Sequence, residues 1–404
     1  MMISSSISSV WRFLFVFVVT IGGCSWNPVC HSFGLLPPTI RISMGDSKSL
    51  QTDCLDYYDK RKKGNSIVVY YEEDVEYGYQ VAACLFQQLV EQHTTTDDDD
   101  DEKLVRMWFP KLRLEGITQM KTLLSILLRS LLLKDESTSI TLLTWPQVPA
   151  PCLQIQTTTT TTTTTKESIQ TTNYDGEQAI EDTKEWVNTV LGGKQKLCPF
   201  TKSIDQGAIG LESMNVSSGP VQIQYIPHNE IDNDVGIIMN VVSVVLNGIV
   251  QLATEPESQV STLLLICPYY NTRIEEFLQI CDTIIEPCIQ AINGNTIIGK
   301  AWFHPNYQTQ LVYNTTTHQN TILPGHALPP TMVQTFVQQY YPSSSLSLQD
   351  ITQLNNQIRQ TPHATINLLR RTQLNAAKDM ERNLPNPRPN AIYARNVIQL
   401  KKSS

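Results

Sequence analysis

The chain has 404 residues, of which 41% are hydrophobic and 17% are charged, and its formal net charge is −8. This length is enough for one large core or for two domains. The acidic balance, with a sequence pI near 5.4, lacks the basic face that non-specific nucleic-acid binding requires, so we expect no nucleic-acid partner.

Residues 1–45 have the features of a targeting leader. The stretch WRFLFVFVVTIGG (11–23) has one basic residue before an apolar run that is too short to span a membrane and that fits a signal-peptide core. The following stretch, VCHSFGLLPPTIRIS (29–43), has small residues before Phe33, then hydroxyl groups and a basic residue. This arrangement resembles the bipartite plastid presequence of algae with secondary plastids. It predicts the plastid stroma, with no stable membrane span after leader removal.

A plain secretory signal is the alternative interpretation of the leader. A secreted protein would carry glycans at the sequons that begin with Asn215 and Asn314, and its cysteines would form disulfides. Seven cysteines follow the leader, an odd number without any C-x-x-C spacing. This usage indicates no disulfide framework and favours a reducing compartment.

The first part of the mature chain, 50–150, reads as a β-α-β-α-β unit of no family that we recognise. The strand signals are β-branched and aromatic runs, and the helix signals are apolar residues at helical spacing. The predicted strands are 66–73, 103–110 and 139–148, and the predicted helices are 76–92 and 117–133.

A Thr-rich segment, 151–178, separates the two parts of the chain. It contains nine consecutive threonines and has almost no residues that would be buried in a core. We predict that it is a disordered linker.

The second part, 179–404, reads as another β-α-β-α-β unit with one extra helix before it and two after it. The predicted elements are helix 181–193, strand 220–227, helix 234–253, strand 261–268, helix 273–292, strand 295–305, and helices 370–382 and 391–402. A Pro-, Thr- and Gln-rich stretch, 309–349, is predicted to be a surface insertion. The chain is therefore predicted to have an α/β fold.

The two parts share a rhythm in which an apolar helix, a short acidic turn and an apolar strand precede a proline. One interpretation is a degenerate internal repeat. The other is that any two β-α-β units look alike.

Five segments of the second part carry a family resemblance. They are KLCPF (196–200), TLLLICP (262–268), FHPNYQ (303–308), TPHATINLLRR (361–371) and AIYARN (391–396), in that order. Over roughly 181–400 they resemble the domain of unknown function 1415 family. The resemblance implies an α/β domain and no established activity.

The sequence departs from the pattern of that family at three positions. The family tends to have Arg where Gln360 stands, although Arg359 is adjacent, and His where Asn367 stands. It tends to have an acid where Arg371 stands. A diverged or inactive site is therefore one interpretation of this chain.

Cys198 and His304 are the candidate catalytic residues. Cys198 follows a helix end and precedes Pro199, which indicates a turn, and a thiol needs a base or a positive field to act as a nucleophile. His304 ends a buried-looking strand, where loops of an α/β sheet gather functional groups. Pro305 restricts the backbone at His304 to extended conformations.

The candidate binding residues are Tyr307, Arg370, Arg395 and Asn396. Tyr307 is expected to orient the imidazole of His304, and Arg370 and Arg395 to hold an anion by bidentate hydrogen bonds. Each candidate also has a structural interpretation: a packed thiol, a capping histidine, an arginine covering an apolar face with its stem, or a helix-packing amide.

The sequence indicates neither a metal site nor a cofactor. It has no H-x-x-x-H or H-E-x-x-H spacing, no Gly-rich phosphate loop and no G-x-S-x-G elbow. Three functional hypotheses remain. They are a thiol-dependent enzyme for a small anionic substrate, a non-catalytic domain that binds a small anionic ligand, and a structural interaction protein in which the two parts pack together.

Overall fold

The fold was described from a computed structural model of the chain. It describes residues 67–71, 74–94, 103–127, 138–143, 151–157, 175–192, 198, 200–228, 234–308, 311–314, 319–322, 330–344, 346–382 and 391–403. The predicted leader, and the predicted linker beyond residue 157 up to its last few residues, lie outside the described residues. We call 67–157 the first half and 175–403 the second half.

The first half forms a four-stranded sheet of order β1-β2-β4-β3. Its elements are β1 (Ile67–Tyr71), α1 (Gly78–Thr94), β2 (Lys103–Trp108), α2 (Leu114–Leu127), β3 (Thr138–Leu143) and β4 (Cys152–Thr157). β1 and β2 are parallel, while β4 pairs antiparallel with both β2 and β3.

The second half begins with α3 (Gly176–Trp186), a π-helical turn (Val187–Leu191), and the short strands β5 (Thr201–Ser203) and β6 (Gln206–Gly207). The elements of its main sheet are β7 (Val221–Tyr225), α4 (Asp234–Thr254), β8 (Thr262–Ile266), α5 (Ile274–Ile280), a π turn (Cys281–Ile285), α6 (Glu286–Ala291), β9 (Ile298–Phe303) and β12 (Thr365–Arg370). The sheet order is β7-β8-β12-β9.

The two main sheets have the same strand order and the same strand directions. β7 and β8 are parallel over five residue pairs, as β1 and β2 are. β9 and β12 are antiparallel over six pairs, as β3 and β4 are. One loop contact is also repeated: Phe109 N–H donates to the Pro151 carbonyl at 2.9 Å, and Cys267 N–H donates to the Ala364 carbonyl at 2.7 Å. Each contact joins the residue after the second strand to the residue before the last strand.

The helices of the two halves pack against each other between the two sheets. α1 lies against α4 and α2 lies against α6. One hydrophobic cluster contains side chains from both halves, such as Phe86 of α1 and Leu246 of α4, each 0% exposed. Among the described residues, 235–254 form a helix that is long and apolar enough to cross a membrane. Because this helix packs against α1 and β8, its apolar surface is explained by the core.

The outer face of the second sheet is covered by α3 and by α9 (Arg371–Arg382). Trp186 of α3 packs edge-on against Phe303 with ring centroids 6.0 Å apart, and Leu374 of α9 joins the cluster that contains Phe303. Asp175 begins α3 as its N-cap, with its side chain accepting from Glu177 N–H. This outer layer has its own small cavity, which contains the candidate site.

Residues 304–364 connect β9 to β12, whereas only residues 144–151 separate β3 from β4 in the first half. The connection contains β10 (Leu311–Asn314), β11 (Gln319–Ile322), α7 (Pro330–Tyr340) and α8 (Leu348–Gln357). α7 and α8 pack with α10 (Ala391–Ser403) in a separate hydrophobic cluster. The predicted surface insertion thus includes the β10–β11 hairpin and the helix α7, and α7 packs in that cluster.

The predicted α/β fold is confirmed, with two corrections to its details. Each main sheet has a fourth strand that the sequence prediction missed, β4 and β12. β4 covers Cys152–Thr157, so the predicted linker began too early. Both strands were missed because polar side chains interrupt their apolar residues. Gln154 of β4 and Asn367 of β12 are such residues, and they lie at equivalent positions on the outer faces of the two sheets.

Candidate functional site

A small cavity on the outer face of the second sheet contains Cys198. We call it the Cys198 pocket. Its volume is about 90 Å³, and most of its lining is apolar. The lining residues used below are Cys198, Thr201, Phe303, Asn367 and Gln373.

Cys198 is held in a turn, as predicted. Its N–H donates to the carbonyl of Leu191, the last residue of the π turn, at 3.1 Å. Gly192 permits this geometry, because a Cβ there would lie 2.3 Å from the carbonyl oxygen of Lys202. The Thr201 hydroxyl donates to the sulfur at 3.3 Å. Burial raises the pKa of the Cys198 thiol, and the Thr201 hydrogen bond opposes that effect in part.

Two buried polar groups face the pocket without a hydrogen bond. Asn367 on β12 is 7% exposed and Gln373 on α9 is 5% exposed. Neither Oδ1 of Asn367 nor Nε2 of Gln373 has a hydrogen-bond partner among the residues that the structure describes. Leaving a buried polar group without a hydrogen bond lowers the stability of the fold by roughly 1–3 kcal/mol. Two such groups in one cavity therefore call for an explanation.

His304 is fully buried and both of its ring nitrogens are hydrogen-bonded. Its Nδ1 accepts from the Asn306 N–H at 3.0 Å, so Nε2 carries the proton and donates to the Tyr270 carbonyl at 2.8 Å. Burial lowers the pKa of His304, and the hydrogen bond to Tyr270 opposes that shift. The ring is therefore a neutral bridge between two loops.

The prediction that Cys198 and His304 share one cavity is wrong. Cys198 lies on the face of the second sheet that Phe303 and Asn367 line. The His304 ring instead contacts Phe277 of α5, at 5.7 Å between centroids, and Phe277 belongs to the core between the two sheets. The reason is the alternation of side chains along a strand, which sends neighbouring residues to opposite faces.

Tyr307 is buried at 3% exposure, and its backbone forms the turn after β9. Its N–H donates to the His304 carbonyl at 3.0 Å, and its carbonyl accepts from Nε2 of Gln360 at 3.2 Å. The imidazole is held by the Asn306 N–H and the Tyr270 carbonyl. Tyr307 is not among the residues that line the Cys198 pocket.

The predicted arginine cluster does not form around Cys198. Arg370 donates from its three side-chain nitrogens to the carbonyls of Val260, Leu252 and Glu255, which lie at and beyond the end of α4. A cation placed there offsets the negative end of the helix dipole. Arg395 lies on the exposed side of α10, and the side chain of Asn396 is outside the described part of the structure.

Other clusters of polar residues do not resemble a metal site. Within the described ranges, no group of three or more His, Cys, Asp or Glu residues lies close enough to hold a metal ion. His363 Nδ1 lies 2.9 Å from Nδ2 of Asn271, and its Nε2 lies 3.5 Å from Asp182. These contacts link α3 to the loops at the ends of β8 and β12.

Sequence reasoning identified Cys198 and did not identify Gln373. Asn367 was noticed only as a departure from a family pattern. The available signal was a polar residue within the apolar strand pattern INLL. A Gln follows six residues later in the first turn of the next helix, on the side that also carries Leu374 and Ala377.

Residues 178–319 match the model of a family described as "Protein of unknown function (DUF1415)". The match covers about one third of the chain and confirms the resemblance for that segment. It includes the Cys198 turn, β7, β8 and β9, while the two motifs after residue 319 lie outside it. The comparisons with curated proteins and with solved structures gave no match.

Proposed function

We propose that the second half is a non-catalytic binding domain and that the Cys198 pocket holds a small, uncharged, largely apolar molecule. The observation that carries the proposal is the pair of buried, unsatisfied groups, Asn367 Oδ1 and Gln373 Nε2, in one cavity. One is an acceptor and the other is a donor. A ligand that offers one N–H or O–H and one carbonyl or hydroxyl oxygen satisfies both.

The chemistry of the lining argues against a charged ligand. The described lining of the pocket includes no lysine, arginine, histidine, aspartate or glutamate. A carboxylate or phosphate placed there would lose its hydration without gaining a counter-charge. The anionic ligand of the sequence hypothesis therefore does not suit this pocket.

The environment of the thiol argues against nucleophilic catalysis. Burial raises the pKa of Cys198, and Thr201 donates a neutral hydrogen bond to the sulfur. His304, the expected base, is engaged on the other side of the sheet. A thiol without a base or a positive field remains protonated at neutral pH.

Protection of Cys198 from iodoacetamide tests the proposal. Isobutyramide is a suitable probe, because it combines a branched apolar group with a primary amide. The labelling rate of each cysteine is measured by peptide mass spectrometry, with the partly exposed Cys84 of α1 as the internal control. We expect saturable protection of Cys198 alone, weakened about tenfold in Asn367→Leu or Gln373→Leu by the loss of one hydrogen bond.

Two further controls make the test specific. N,N-Dimethylisobutyramide lacks the donor and is expected to protect poorly. Gln154→Leu changes the equivalent strand position of the first half and is expected to leave the protection unchanged. Three outcomes would overturn the proposal. They are equal protection of Cys84 and Cys198, no protection of Cys198, and protection of Cys198 that persists in both pocket variants. Labelling of Cys198 that is far faster than that of Cys84 in the free protein would instead restore the enzyme hypothesis.

A further inference from the structure

A second cavity lies between the two halves, away from the Cys198 pocket. It has a volume of about 570 Å³ and is lined from the first half by the beginnings of α1 and α2. From the second half it is lined by the end of α4, the end of α6 and the beginning of α9. We call it the cleft. Its volume falls within the usual range for small-molecule sites.

One wall of the cleft is aromatic. The rings of Tyr77 and Tyr79 are stacked, with centroids 5.5 Å apart and an interplanar angle of 13°. The Arg113 guanidinium lies 4.5 Å from the centroid of Tyr77 and pairs with Glu76 at 2.6 Å. Tyr77 is 39% exposed, which is unusual for a large ring. Because Tyr79 and Arg113 both lie over the ring of Tyr77, the flat aromatic surface that this wall offers to a planar ring of a ligand is that of Tyr79.

The opposite wall carries an arginine whose terminal nitrogens remain for a ligand. The side chain of Arg371, the first residue of α9, donates one hydrogen bond within the described residues, from Nε to the Asn295 carbonyl at 2.8 Å. Its neighbour Arg370 is fully committed to the end of α4. The two terminal nitrogens of a guanidinium match the oxygens of a phosphate or carboxylate.

Three helices begin at the cleft, which adds to its attraction for an anion. α1 begins at Gly78, α2 at Leu114 and α9 at Arg371, and the first N–H groups of a helix have no partner within that helix. The N–H of Arg371 itself donates to the Ile297 carbonyl at 2.8 Å, so α9 contributes the N–H groups that follow it and its dipole. α1 and α2 begin in direct contact. A Cβ on Gly78 would lie 2.2 Å from Oε1 of Gln119, and a Cβ on Gly116 would lie 3.0 Å from the nitrogen of Gly78.

Two carboxylates also line the cleft and narrow the choice of ligand. Glu257 accepts from Ser217 N–H at 2.9 Å and from the Thr372 hydroxyl at 2.6 Å, so both of its oxygens are engaged. Glu115 accepts from Gln119 at 3.2 Å through one oxygen. The other oxygen of Glu115 can accept from a ligand hydroxyl, as a sugar provides.

We propose that the cleft binds a phosphorylated ligand of mononucleotide size, with its planar ring on the Tyr77–Tyr79 wall and its phosphate at Arg371 and the helix N-termini. The site needs both halves, because the ring wall belongs to the first and the phosphate-binding arginine to the second. It is separate from the Cys198 pocket and does not depend on the function proposed for that pocket.

Isothermal titration of the full chain with AMP, adenosine and inorganic phosphate tests the proposal. We expect saturable binding of AMP that is stronger than that of either fragment. Arg371→Gln is expected to weaken AMP binding about tenfold through the lost phosphate contact. Tyr79→Leu is expected to weaken it by a similar factor through lost stacking, since each base–aromatic stack contributes roughly 1–3 kcal/mol.

The second half supplies a matched control. Arg273 stacks on Tyr269 at 4.4 Å and pairs with Glu276, as Arg113 does with Tyr77 and Glu76, but it does not line the cleft. Arg273→Gln is expected to bind AMP as the unaltered chain does. The proposal is overturned if AMP shows no saturable binding, if phosphate alone binds as tightly as AMP, or if Arg273→Gln weakens AMP as much as Arg371→Gln does.

Discussion

The two halves of this molecule have a polar residue at equivalent positions of their main sheets. The two residues differ in whether their side-chain oxygen accepts a hydrogen bond. In the first half, Gln154 of β4 faces Arg106 of β2, and the guanidinium donates to Oε1 of Gln154 from Nε and Nη2 at 3.0 and 2.9 Å. In the second half, Asn367 of β12 faces Leu264 of β8, which has no donor to offer. The side-chain amide oxygen at this position therefore has a donor in the first half and has none among the described residues in the second.

This difference shows that the unsatisfied position lies in the half whose main sheet has an extra outer layer. We propose that the chain is an internal duplication, on the strength of the shared strand order, the shared directions and the repeated loop contact. The scaffold of strands and inner helices is common to both halves. The second half alone, within the described residues, carries α3 and α9 over its outer face, and these helices enclose the Cys198 pocket.

The comparison first predicts that the halves share one core and unfold together. Phe86→Ala in α1 and Leu246→Ala in α4 each remove a fully buried side chain from the same cluster and are expected to lower the free energy of unfolding by about 3–4 kcal/mol. Urea denaturation followed by tryptophan fluorescence should show one transition that both substitutions shift. Two transitions, each shifted by only one of the two substitutions, would mean that the halves unfold independently.

A second test uses the buried Lys300–Glu286 ion pair of the second half. Lys300 of β9 is 3% exposed and pairs with Glu286 at 2.5 Å, while Ile140 holds the equivalent position of β3. Lys300→Met leaves a buried carboxylate without its ammonium partner and is expected to cost about 3–5 kcal/mol. Ile140→Met conserves volume and is expected to cost less than about 1.5 kcal/mol.

The double variant Lys300→Met/Glu286→Leu provides the check on this interpretation. Removing both charges is expected to restore most of the stability, because neither group is then left unpaired. The free energies of unfolding are measured in urea. A double variant as unstable as Lys300→Met would mean that the pair is retained for a packing reason rather than for charge balance.

A third test predicts opposite signs at equivalent polar positions. Arg106→Leu leaves Oε1 of Gln154 without its donor and is expected to destabilise the protein by about 1–2 kcal/mol. Asn367→Leu removes an unsatisfied acceptor and is expected to stabilise the ligand-free protein by about 1 kcal/mol. Thermal unfolding of both variants in the absence of ligand compares them. Destabilisation by both substitutions would remove the basis for the proposed binding site.

The smallest expected effect concerns pH and the π turn before α6, for which the first half has no counterpart among its described residues. Burial raises the pKa of Asp282 to about 6, with the charge of Glu286 adding to the shift and a hydrogen bond from Trp302 opposing it. The folded state therefore retains a proton that the unfolded state has lost between about pH 4 and pH 6. Stability is expected to fall as pH rises through this window.

Asp282→Asn removes this titration and is expected to flatten the dependence of stability on pH between about 4 and 6. Free energies of unfolding measured at several pH values in this window compare the variant with the unaltered chain. Asp350→Asn is the control. Because Lys401 and Ser347 lower the pKa of Asp350 to about 2, this substitution is expected to leave the fall in stability between about pH 4 and pH 6 in place. A slope in this window that persists in Asp282→Asn would assign the effect to another group.

Much of the fold could be predicted from local patterns. The apolar helix α4 was predicted over 234–253 and observed over 234–254, and β8, buried at all five residues, reads as a continuous apolar run. The two last helices were predicted within one residue of their observed bounds. The site was harder to predict from the sequence, because Cys198 and Gln373 are far apart in the chain. They line one pocket only once α9 has packed near the turn that follows α3.

The sequence by itself determined which segments form helices and strands, since backbone propensity and apolar spacing act over a few residues. It also determined the thiol on a turn and the polar interruption of an apolar strand. The tertiary structure decided which residues face each other. His304 turned away from Cys198 because neighbouring side chains alternate across a sheet, and Asn367 remained unsatisfied because long-range pairing placed Leu264 rather than an arginine across from it.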